Sequence, residues 1–419
     1  MSRSLDAETA VIGSGIVGTM TALALQNAGL NVLVIEQDEP GAGTASGSAG
    51  YIHDGEIFPV AQPALLAELP RLFFDPFGPL VFRVGYLPHM LGWGTRFLRS
   101  MRRSVIERAT AALASLNRYA IEALLSVASA TGTQELLVHG GGLKIARTQR
   151  AFAGFARELL LLHNAGIPAQ ELDAAALHAM EPALADDNAG AIFFPNSAHC
   201  LDPAAFGERL ASHVCSDGNV VRGHARSLRA QSDGSWVVDV QNGTRSGVHV
   251  QSVVVSAGYA SPLLLEPLGY RVPIAPARGY HLMIENPGVA LRHPMIFHES
   301  HVGATPMSGG LRLAGTMEFS SPRAPADYRR ATMLYSIIHR YIPGLQNGRA
   351  TAWMGIRPSA PDSLPCIGRA PRHQNLYCCF GHGHLGLTQA AISARCIADI
   401  ITDRPPPIDL SPFDLARFQ

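Results

Sequence analysis

Residues 9–36 decide the fold, and they read TAVIGSGIVGTMTALALQNAGLNVLVIE. The apolar run that ends at Ile12 predicts a buried strand, and the glycine-rich turn after it predicts the start of a helix. Gly29 lies where a helix commonly ends, and NVLVIE at 31–36 predicts a second strand that is buried on both faces. The stretch therefore predicts one βαβ unit of an α/β fold.

The glycine turn fits the pattern G-x-G-x-x-G, which opens a dinucleotide-binding helix when it follows a strand. Gly13 allows the tight turn, Gly15 lets a pyrophosphate reach the helix N-terminus, and Gly18 permits close helix packing. Glu36 ends the second strand, where its carboxylate can accept hydrogen bonds from ribose hydroxyls. The predicted dinucleotide contacts of this unit are Gly13, Gly15, Ile16, Val17, Gly18, Glu36 and Gln37.

The identity of the dinucleotide follows from Glu36 and from the segments that come next. An acid at position 36 repels a 2′-phosphate, which leaves FAD or NAD. NAD-binding proteins usually continue as a regular doubly wound sheet, whereas here a small-residue loop at 41–50 and a long detour precede strand-like runs at about 220–256. This layout favours FAD, and a non-catalytic NAD-binding Rossmann protein is the alternative from another class.

Composition bounds the class of protein. A chain of 419 residues predicts two domains or one domain with a large insertion. The mixed order of predicted helices and strands favours two domains, each built from several separated segments. Thirty-three basic residues balance thirty-three acidic ones, so no nucleic-acid partner is expected. The six cysteines have no C-x-x-C spacing, so no metal site is expected either. Too few residues precede the first strand for a signal peptide, and no apolar run is long enough to span a membrane, so we expect a cytoplasmic protein.

Arg357 stands in the stretch MGIRPSAPDSLPCIG at 354–368, where apolar residues and prolines surround it. Burying an arginine costs several kcal/mol unless a carboxylate or phosphate meets it, so Arg357 needs a partner. Asp362 is an internal candidate, but in an extended segment an odd offset of five points the two side chains to opposite faces. A carboxylate ligand is therefore the favoured partner.

Six motifs together resemble the glycine oxidase and D-amino-acid oxidase/dehydrogenase (DAO) family of flavoproteins, with the bacterial small-subunit type of D-amino-acid dehydrogenase nearest. The resemblance covers nearly the whole chain. It implies a Rossmann-like FAD-binding domain with a β-meander, formed by 1–88, 200–265 and 346–419, and a mixed-sheet substrate domain formed by 89–199 and 266–345. The motifs are AVIGSGIVG with Glu36, GTASGSAGYI at 43–52, VVVSAG at 253–258, PARGYHL at 276–282, GIRPSAPDSLPCIG and NLYCCFGHGHLGLT at 375–388.

The resemblance also implies most of the flavin contacts. The loop that precedes position 52 would run under the flavin ring, and the helix that begins near 386 would direct its N-terminus at the flavin. The family often has Asn at the position of Ser48 and Thr or Ser at that of His384. The implied contacts are Thr44, Ala45, Ser46, Ser48, Ala49, Gly50, Ile52, Arg226, Ala257, Gly258, Gly383, His384, Leu385, Gly386, Leu387 and Thr388.

The substrate site is implied in the same way. Arg357 would hold the substrate α-carboxylate in a two-point pair. Tyr280, His53 and His384 would line the cavity, although Tyr280 could equally be a core tyrosine. Some relatives bind FAD covalently through a cysteine in the neighbourhood of Cys366. The alignment of Pro361 and Asp362 with the corresponding pair of those relatives places Gly355 at that position, so non-covalent FAD is expected.

The expected activity is oxidation of the Cα–N bond of D-amino acids or cyclic D-imino acids by hydride transfer to flavin N5. Glycine, sarcosine or D-hydroxyproline are alternative substrates, and O2 or a quinone would accept the electrons. Residues 86–103 predict either an amphipathic helix on the inner face of the cell membrane or a buried helix with a solvated basic end. Homo-oligomeric and hetero-oligomeric assembly both stay open.

Overall fold

A computed structural model describes residues 5–66, 78, 80–215, 218–243 and 245–419. Part of the segment 1–88, which is predicted to belong to the FAD-binding domain, lies outside these residues. The strands are β1 (Ala7–Ile12), β2 (Val32–Glu36), β3 (Tyr51–Ile52), β4 (Leu80–Phe82), β5 (Leu137–His139), β6 (Gly142–Ala146), β7 (Gln170–Asp173), β8 (Gly190–Phe194), β9 (Ala198–Cys200), β10 (Val220–Arg222), β11 (His224–Ala230), β12 (Trp236–Gln241), β13 (Gly247–Val255), β14 (Ala275–Ile284), β15 (Met295–Phe297), β16 (Val302–Met307), β17 (Gly310–Phe319), β18 (Ala350–Ser359), β19 (Cys366–Arg369) and β20 (Leu376–Phe380).

The α-helices of the described residues lie mostly between the strands and at the C-terminal end of the chain. They are α1 (Ile16–Asn27), α2 (Leu87–Ser100), α3 (Arg103–Asn117), α4 (Ala120–Ala130), α5 (Gln149–Asn164), α6 (Ala174–Met180), α7 (Pro203–Val214), α8 (Ser261–Leu265), α9 (Arg329–Ile338) and α10 (Gly386–Ile401).

The first sheet contains the predicted βαβ unit, which is confirmed as β1, α1 and β2. Strands β10, β2, β1, β13 and β20 run parallel to one another, with β1 between β2 and β13. The predicted meander is also present, because β11, β12 and β13 pair antiparallel in sequence. Both faces of β1 are covered: Val11 packs in one hydrophobic cluster, and Ala10 and Ile12 pack in another. This double burial explains the continuous apolar run in the sequence.

The second sheet has nine strands among the described residues, in the order β18-β14-β17-β16-β15-β6-β8-β7, with β4 paired to β17. Strands β18 and β17 flank β14 and run antiparallel to it. A small third sheet joins β3, β9 and β5. The fold is therefore mixed α/β with separate sheets, as predicted.

The second sheet draws strands from segments that we assign to both predicted domains. Strand β4 lies within 1–88 and β18 lies within 346–419, yet both pair with strands at 275–319. The limits of the two domains stay a prediction. What the pairing establishes is that β18, which carries Arg357, lies beside β14.

The described residues were expected to contain neither a membrane-spanning helix nor a metal site. No helix in the part of the chain that the structure describes is both long and apolar enough to cross a bilayer. The same residues hold no group of three or more His, Cys, Asp or Glu side chains placed to bind a metal ion.

Candidate active site

The glycine turn has the backbone geometry that a dinucleotide requires. Gly13 has φ +95°, and a Cβ there would lie 2.7 Å from the carbonyl oxygen of Ser256. A Cβ on Gly18 would lie 1.8 Å from the carbonyl oxygen of Gly13, so this glycine is required for packing within the protein. A Cβ on Gly15, in contrast, would meet only the Cα of Gly43 at 3.9 Å. The space in front of Gly15 is thus left open by the protein.

Glu36 lies beside this turn at the end of β2. Its carboxylate accepts hydrogen bonds from the backbone N–H of Ser14 at 2.6 Å and from the Ser14 hydroxyl at 2.9 Å. The other carboxylate oxygen accepts the backbone N–H of Asp38 at 3.0 Å. These bonds hold the carboxylate at the carboxyl end of the parallel strands, which is where a ribose binds in folds of this type. Gln37 is exposed and donates to Asp38.

The N-termini of two helices indicate whether this chain can bind the anionic groups of a dinucleotide. Helix α1 begins after Gly15 and α10 begins after Leu385, and neither has a side-chain cap or an acidic residue in its first turn. Their first N–H groups are therefore available to anionic groups. Gly383, which precedes α10, has φ +55°, and a Cβ on this residue would have no protein atom within 4 Å. Both features suit FAD, with the pyrophosphate at α1 and the flavin edge at α10.

The turn after β13 lies next to the turn after β1, because Val255 is in register with Ile12. Ala257 contributes to this contact, since a Cβ on Gly13 would lie 3.1 Å from its Cα. Gly258 has φ +56° and no protein atom within 4 Å of its Cβ position. The structure therefore brings both residues to the dinucleotide turn.

The small-residue loop at 44–50 is held by side chains of the second sheet. Arg312 on β17 donates to the carbonyl of Ser48 at 2.8 Å and to that of Ser46 at 3.4 Å. His281 on β14 contacts the carbonyl of Gly47 at 2.9 Å. The loop itself folds as a short 3-10 turn from Thr44 to Gly47. Neither anchoring residue is predictable from the sequence, because nothing in a single strand tells which loop its side chains reach.

Other predicted loop residues also lie in this region. The hydroxyl of Thr44 donates to the carbonyl of Ile356, the neighbour of Arg357, at 2.9 Å. Gly50 has φ +69° and donates its N–H to the Ser48 hydroxyl at 3.3 Å. Ile52 is buried in β3. The N–H of the following residue, His53, donates to the hydroxyl of Thr388 in α10, which ties the loop to the second helix.

Arg357 extends from β18 over a glycine of the neighbouring strand. A Cβ on Gly279 would lie 2.3 Å from the central carbon of the guanidinium, so only glycine leaves room for the arginine in this position. A glycine inside a strand is a known sign that another group approaches closely. Burial lowers the pKa of Arg357 to about 10, which still leaves it protonated at neutral pH.

The partner of Arg357 is not the internal acid. Asp362 accepts a hydrogen bond from Arg417 at 2.8 Å, which excludes the ion pair that the sequence left open. Within the described ranges the Arg357 guanidinium has no salt bridge, and its hydrogen bond goes to the carbonyl of Thr316 at 3.4 Å. A half-buried cation without an anionic partner is suited to an anionic ligand.

Thr316 forms a bulge next to Arg357. Residues Arg278 and Tyr280 pair with Glu318 and Gly315, so Thr316 and Met317 together face Gly279. Thr316 has φ +61°, a conformation that β-branched residues rarely adopt. Such strain persists only where the surroundings impose it, and it commonly accompanies functional sites.

A cavity joins Arg357 to the loop before α10. It is lined by Arg357, His384, Glu56 and Met317, among other residues. His384 is exposed to this cavity, and desolvation by the protein, followed by the charge of Arg357, lowers its pKa to about 4. His384 is therefore neutral at pH 7, so the cavity offers a carboxylate one clear positive charge.

His53 lies behind the cavity rather than on its lining. Its Nδ1 contacts the Ser197 hydroxyl at 3.2 Å, and its ring stacks on Tyr51 with centroids 4.7 Å apart. Burial, then the charges of Lys144 and His384, lowers the pKa of His53 to about 3. A fully buried neutral histidine with these partners supports the wall of the cavity.

Tyr280 is not brought to Arg357. Ala277 is the cross-strand partner of Arg357, and strand alternation therefore places Gly279 on the face of Arg357 and Tyr280 on the opposite face. There its hydroxyl donates to Glu318 at 2.6 Å. Tyr280 therefore lies in the core with its hydroxyl hydrogen-bonded, which is the alternative that the sequence left open.

Arg226 and Cys366 also lie apart from the cavity lining. Arg226 is exposed on β11, and its guanidinium donates to the side chain of Gln241 at 2.7 Å. The arginine opposite Glu36 is Arg222 of β10. Cys366 is a free, buried cysteine of β19. Gly355, where covalent relatives have cysteine, is covered by Trp353, whose ring would lie 2.0 Å from a Cβ at that position.

A βαβ unit with an open dinucleotide turn, two uncapped helix N-termini and a cavity lined by a half-buried arginine together define the site of a flavin-dependent oxidoreductase. The profile of the DAO family, described as FAD dependent oxidoreductase, matches residues 8–400. The chain belongs to this family, and FAD is its cofactor.

Individual relatives are similar over almost the whole chain. A D-amino-acid oxidase of Bradyrhizobium diazoefficiens is 31% identical over 419 residues, which cover 98% of each chain. A D-amino acid dehydrogenase of Xylella fastidiosa is 32% identical over 425 residues, covering 97% of this chain and 95% of that one. Glycine oxidase from Geobacillus kaustophilus shares the fold, with a TM-score of 0.74, 20% identity and 98% coverage of both chains.

Proposed function

We propose that the protein oxidises the Cα–N bond of D-amino acids or cyclic D-imino acids to an imine. Water then hydrolyses an acyclic imine to a 2-oxo acid and ammonia, and it opens the ring of a cyclic imine. The observation that carries the proposal is the half-buried Arg357 guanidinium, which lines the cavity and has no acid of the described residues as partner. The names of the two sequence relatives support a D-amino acid as the substrate. Glycine, sarcosine and D-hydroxyproline are the alternative substrates.

The residues of the chain act mainly by positioning. Arg357 binds the substrate α-carboxylate through two parallel hydrogen bonds, and Gly279 leaves the space that the guanidinium needs. Neutral His384 adds no competing charge beside it. Bound FAD would supply the acceptor for the hydride that leaves Cα. The substrate amine reacts in its deprotonated form, so the chain needs no general base at Cα.

The remaining cofactor contacts belong to the same proposal. The FAD-binding segments are 1–88, 200–265 and 346–419, and the substrate segments are 89–199 and 266–345. FAD is held without a covalent bond, since Gly355 replaces the cysteine of covalent relatives. The helix dipole of α10 would stabilise the negative charge that reduction places on the flavin. The electrons then pass to O2 or to a quinone.

Stereochemistry provides the test of the substrate. We expect anaerobic addition of D-amino acids, cyclic D-imino acids or glycine to bleach the flavin absorbance, and L-amino acids to leave it unchanged. The names of the two sequence relatives support the D-enantiomer as the one that presents its Cα–H to the flavin when Arg357 holds the carboxylate. A spectrum recorded after each addition measures this. Equal bleaching by D-alanine and L-alanine would contradict the proposal.

Helix α2 supports peripheral membrane contact. Leu91 and Leu98 are 69% and 54% exposed, and their spacing of seven residues places them on one face of the helix. Val84 is 78% exposed just before the helix begins. Arg99 and Arg102 are exposed at its C-terminal end. Exposed apolar residues beside basic ones suit the surface of an anionic bilayer, where a quinone would be available.

Vesicle binding tests this contact. We expect the protein to sediment with vesicles that contain an anionic lipid and to do so less in high salt. Replacing both Leu91 and Leu98 by glutamate should lower the bound fraction severalfold, because it removes the apolar face and adds repulsion. Leu160→Glu, at another exposed leucine, serves as the control. Binding that is unchanged in the double variant would exclude α2 as the contact.

A further inference from the structure

Arg312 on β17 is a second buried arginine next to the site. Its residue is 8% exposed, and burial lowers its pKa to about 10, so it keeps its proton at neutral pH. Among the residues that the structure describes, Arg312 has no salt bridge. Asp202, whose charge acts on it, instead accepts the backbone N–H groups of Ala204 and Ala205 at the start of α7. Arg312 therefore carries a charge that no acid neutralises by direct contact.

The direct partners of Arg312 are two carbonyls of the loop at 44–50. Its Nη1 donates to the carbonyl of Ser48 at 2.8 Å and to that of Ser46 at 3.4 Å. In a trans peptide the C=O and N–H groups point in opposite directions, so the N–H of Ala49 points away from Arg312. Within the described ranges, that N–H has no acceptor. The peptide between Ser48 and Ala49 thus offers a free donor on the side opposite the arginine.

The loop at 44–50 lies along the region between the dinucleotide turn and β18. Where the loop begins, a Cβ on Gly43 would lie 2.8 Å from the Cα of Gly15. Further along, a Cβ on Gly47 would lie 2.4 Å from the ring of Trp353, which shares β18 with Arg357. With the pyrophosphate at Gly15 and the substrate carboxylate at Arg357, the flavin ring lies between these two residues. The loop therefore flanks the ring.

From this arrangement we infer that Arg312 is a positioning residue for the cofactor: it directs the Ala49 N–H at the flavin ring and stabilises the reduced form. A hydride brings two electrons and one proton, so reduction leaves one negative charge on the flavin, which a cation and an oriented donor favour. The inference rests on the proposed function only for the position of the ring.

The size of the effect follows from the distance over which the charge of Arg312 acts. Two hydrogen bonds and one peptide group separate its guanidinium from the flavin atom that accepts the Ala49 N–H, which is about 8 Å at most. At this distance, with an effective dielectric constant of about 20, one positive charge shifts the equilibrium toward the reduced flavin by a factor of about thirty. The loss of the charge should therefore be measurable.

His281 of β14 anchors the same loop without a charge. Its Nδ1 contacts the carbonyl of Gly47 at 2.9 Å. Burial, and then the charge of Arg312, lowers the pKa of His281 to about 4, so it is neutral at pH 7. The N–H of the peptide that it holds belongs to Ser48 and already donates to the carbonyl of Ala45 at 3.0 Å. A variant of His281 thus separates anchoring of the loop from the charge.

The midpoint potential of the bound FAD tests the inference without any amino acid. It is measured on the holoenzyme at pH 7 by slow reduction with dithionite beside a dye of known potential. We expect Arg312→Met to shift the equilibrium about tenfold or more toward oxidised FAD, which lowers the potential of a two-electron couple by about 30 mV or more. Arg312→Gln is also neutral but can still donate to the Ser48 carbonyl, so it should lower the potential similarly even if Arg312→Met does not retain FAD.

Two further variants provide the controls. Arg312→Lys keeps the charge and should have a potential close to that of the wild type. His281→Phe loses the hydrogen bond to Gly47 but keeps a ring against Trp353, on which His281 stacks with centroids 5.1 Å apart. It should also keep the wild-type potential, because it changes no charge.

The outcomes separate a role of the charge from anchoring of the loop. An unchanged potential in Arg312→Gln would overturn the inference, and so would a potential in Arg312→Lys as low as that of the neutral variants. An equal fall in His281→Phe would also overturn it, because loss of an anchor would then explain the change. The expected potentials together with no bleaching by any D-amino acid would support the role of Arg312 and reject the proposed function.

Discussion

Replacement of Arg357 by alanine is expected to lower kcat/KM for the amino-acid substrate by about a hundredfold or more. The guanidinium extends over Gly279 into the cavity and carries a charge that no acid of the described residues neutralises. Each charge-assisted hydrogen bond to a carboxylate contributes about 1.5–3 kcal/mol, and two such bonds are lost in this variant. The loss should therefore fall on binding and orientation of the substrate.

Lysine at position 357 should give an intermediate result. It retains a positive charge but not the planar pair of donors that matches a carboxylate. The smaller ammonium of lysine would not need the space that Gly279 leaves for the guanidinium. We expect the rate with Arg357→Lys to lie between those of the wild type and Arg357→Ala.

The deciding measurement compares an amino acid with the amine that lacks its carboxylate, on flavin-loaded wild type and Arg357→Ala. A loss confined to the amino acid identifies Arg357 as the carboxylate site. Arg229→Ala removes an exposed arginine that pairs with Asp239, and it controls for the general effect of one lost charge. An equal loss for both substrates, or no loss, would reject the assignment.

The sequence predicted the parts of the fold that depend on local pattern. The βαβ unit is readable because the apolar run of β1 is buried on both faces and the glycine turn has a strict spacing. The association of β18 with β14 is different. It joins residues 66 to 84 positions apart, from Ile284 with Ala350 to Ala275 with Ser359, so no short window of sequence contains it. Strand β18 therefore fell in a predicted segment separate from that of its neighbour.

The same limit applies to the site. Arg357 could be identified because a charged residue in an apolar stretch requires a partner, and Asp362 could be doubted from its odd offset. The true partner of Asp362 is Arg417, fifty-five residues away. The face of Tyr280 depends on the register of β14 with β18, which the sequence does not contain, so a substrate contact and a core position are equally open for it from sequence alone. Gly279, adjacent to it, carried the better signal, since a glycine in a strand indicates a close approach.

Gly15→Val is expected to abolish retention of FAD while leaving the chain folded. The two properties can be separated here because a Cβ at Gly15 meets no protein atom closer than the Cα of Gly43 at 3.9 Å, and φ at Gly15 is −61°. A branched side chain would instead occupy the space in which the pyrophosphate meets the N-terminus of α1. Gly18 would not serve for this test, because a Cβ there would clash with Gly13.

The measurement is the flavin content per chain of purified Gly15→Val. Circular dichroism establishes that the variant is folded. Gly154→Val is the matched control: Gly154 lies in α5, is exposed, and has no protein atom within 4 Å of its Cβ position. That variant makes the same substitution at an exposed position of another helix and should keep its flavin, even though valine inside a helix carries its own cost in stability. Flavin content near that of the wild type in folded Gly15→Val would refute the assignment of residues 13–18 to the pyrophosphate. The valine side chain and the cofactor would then not compete for the space in front of α1.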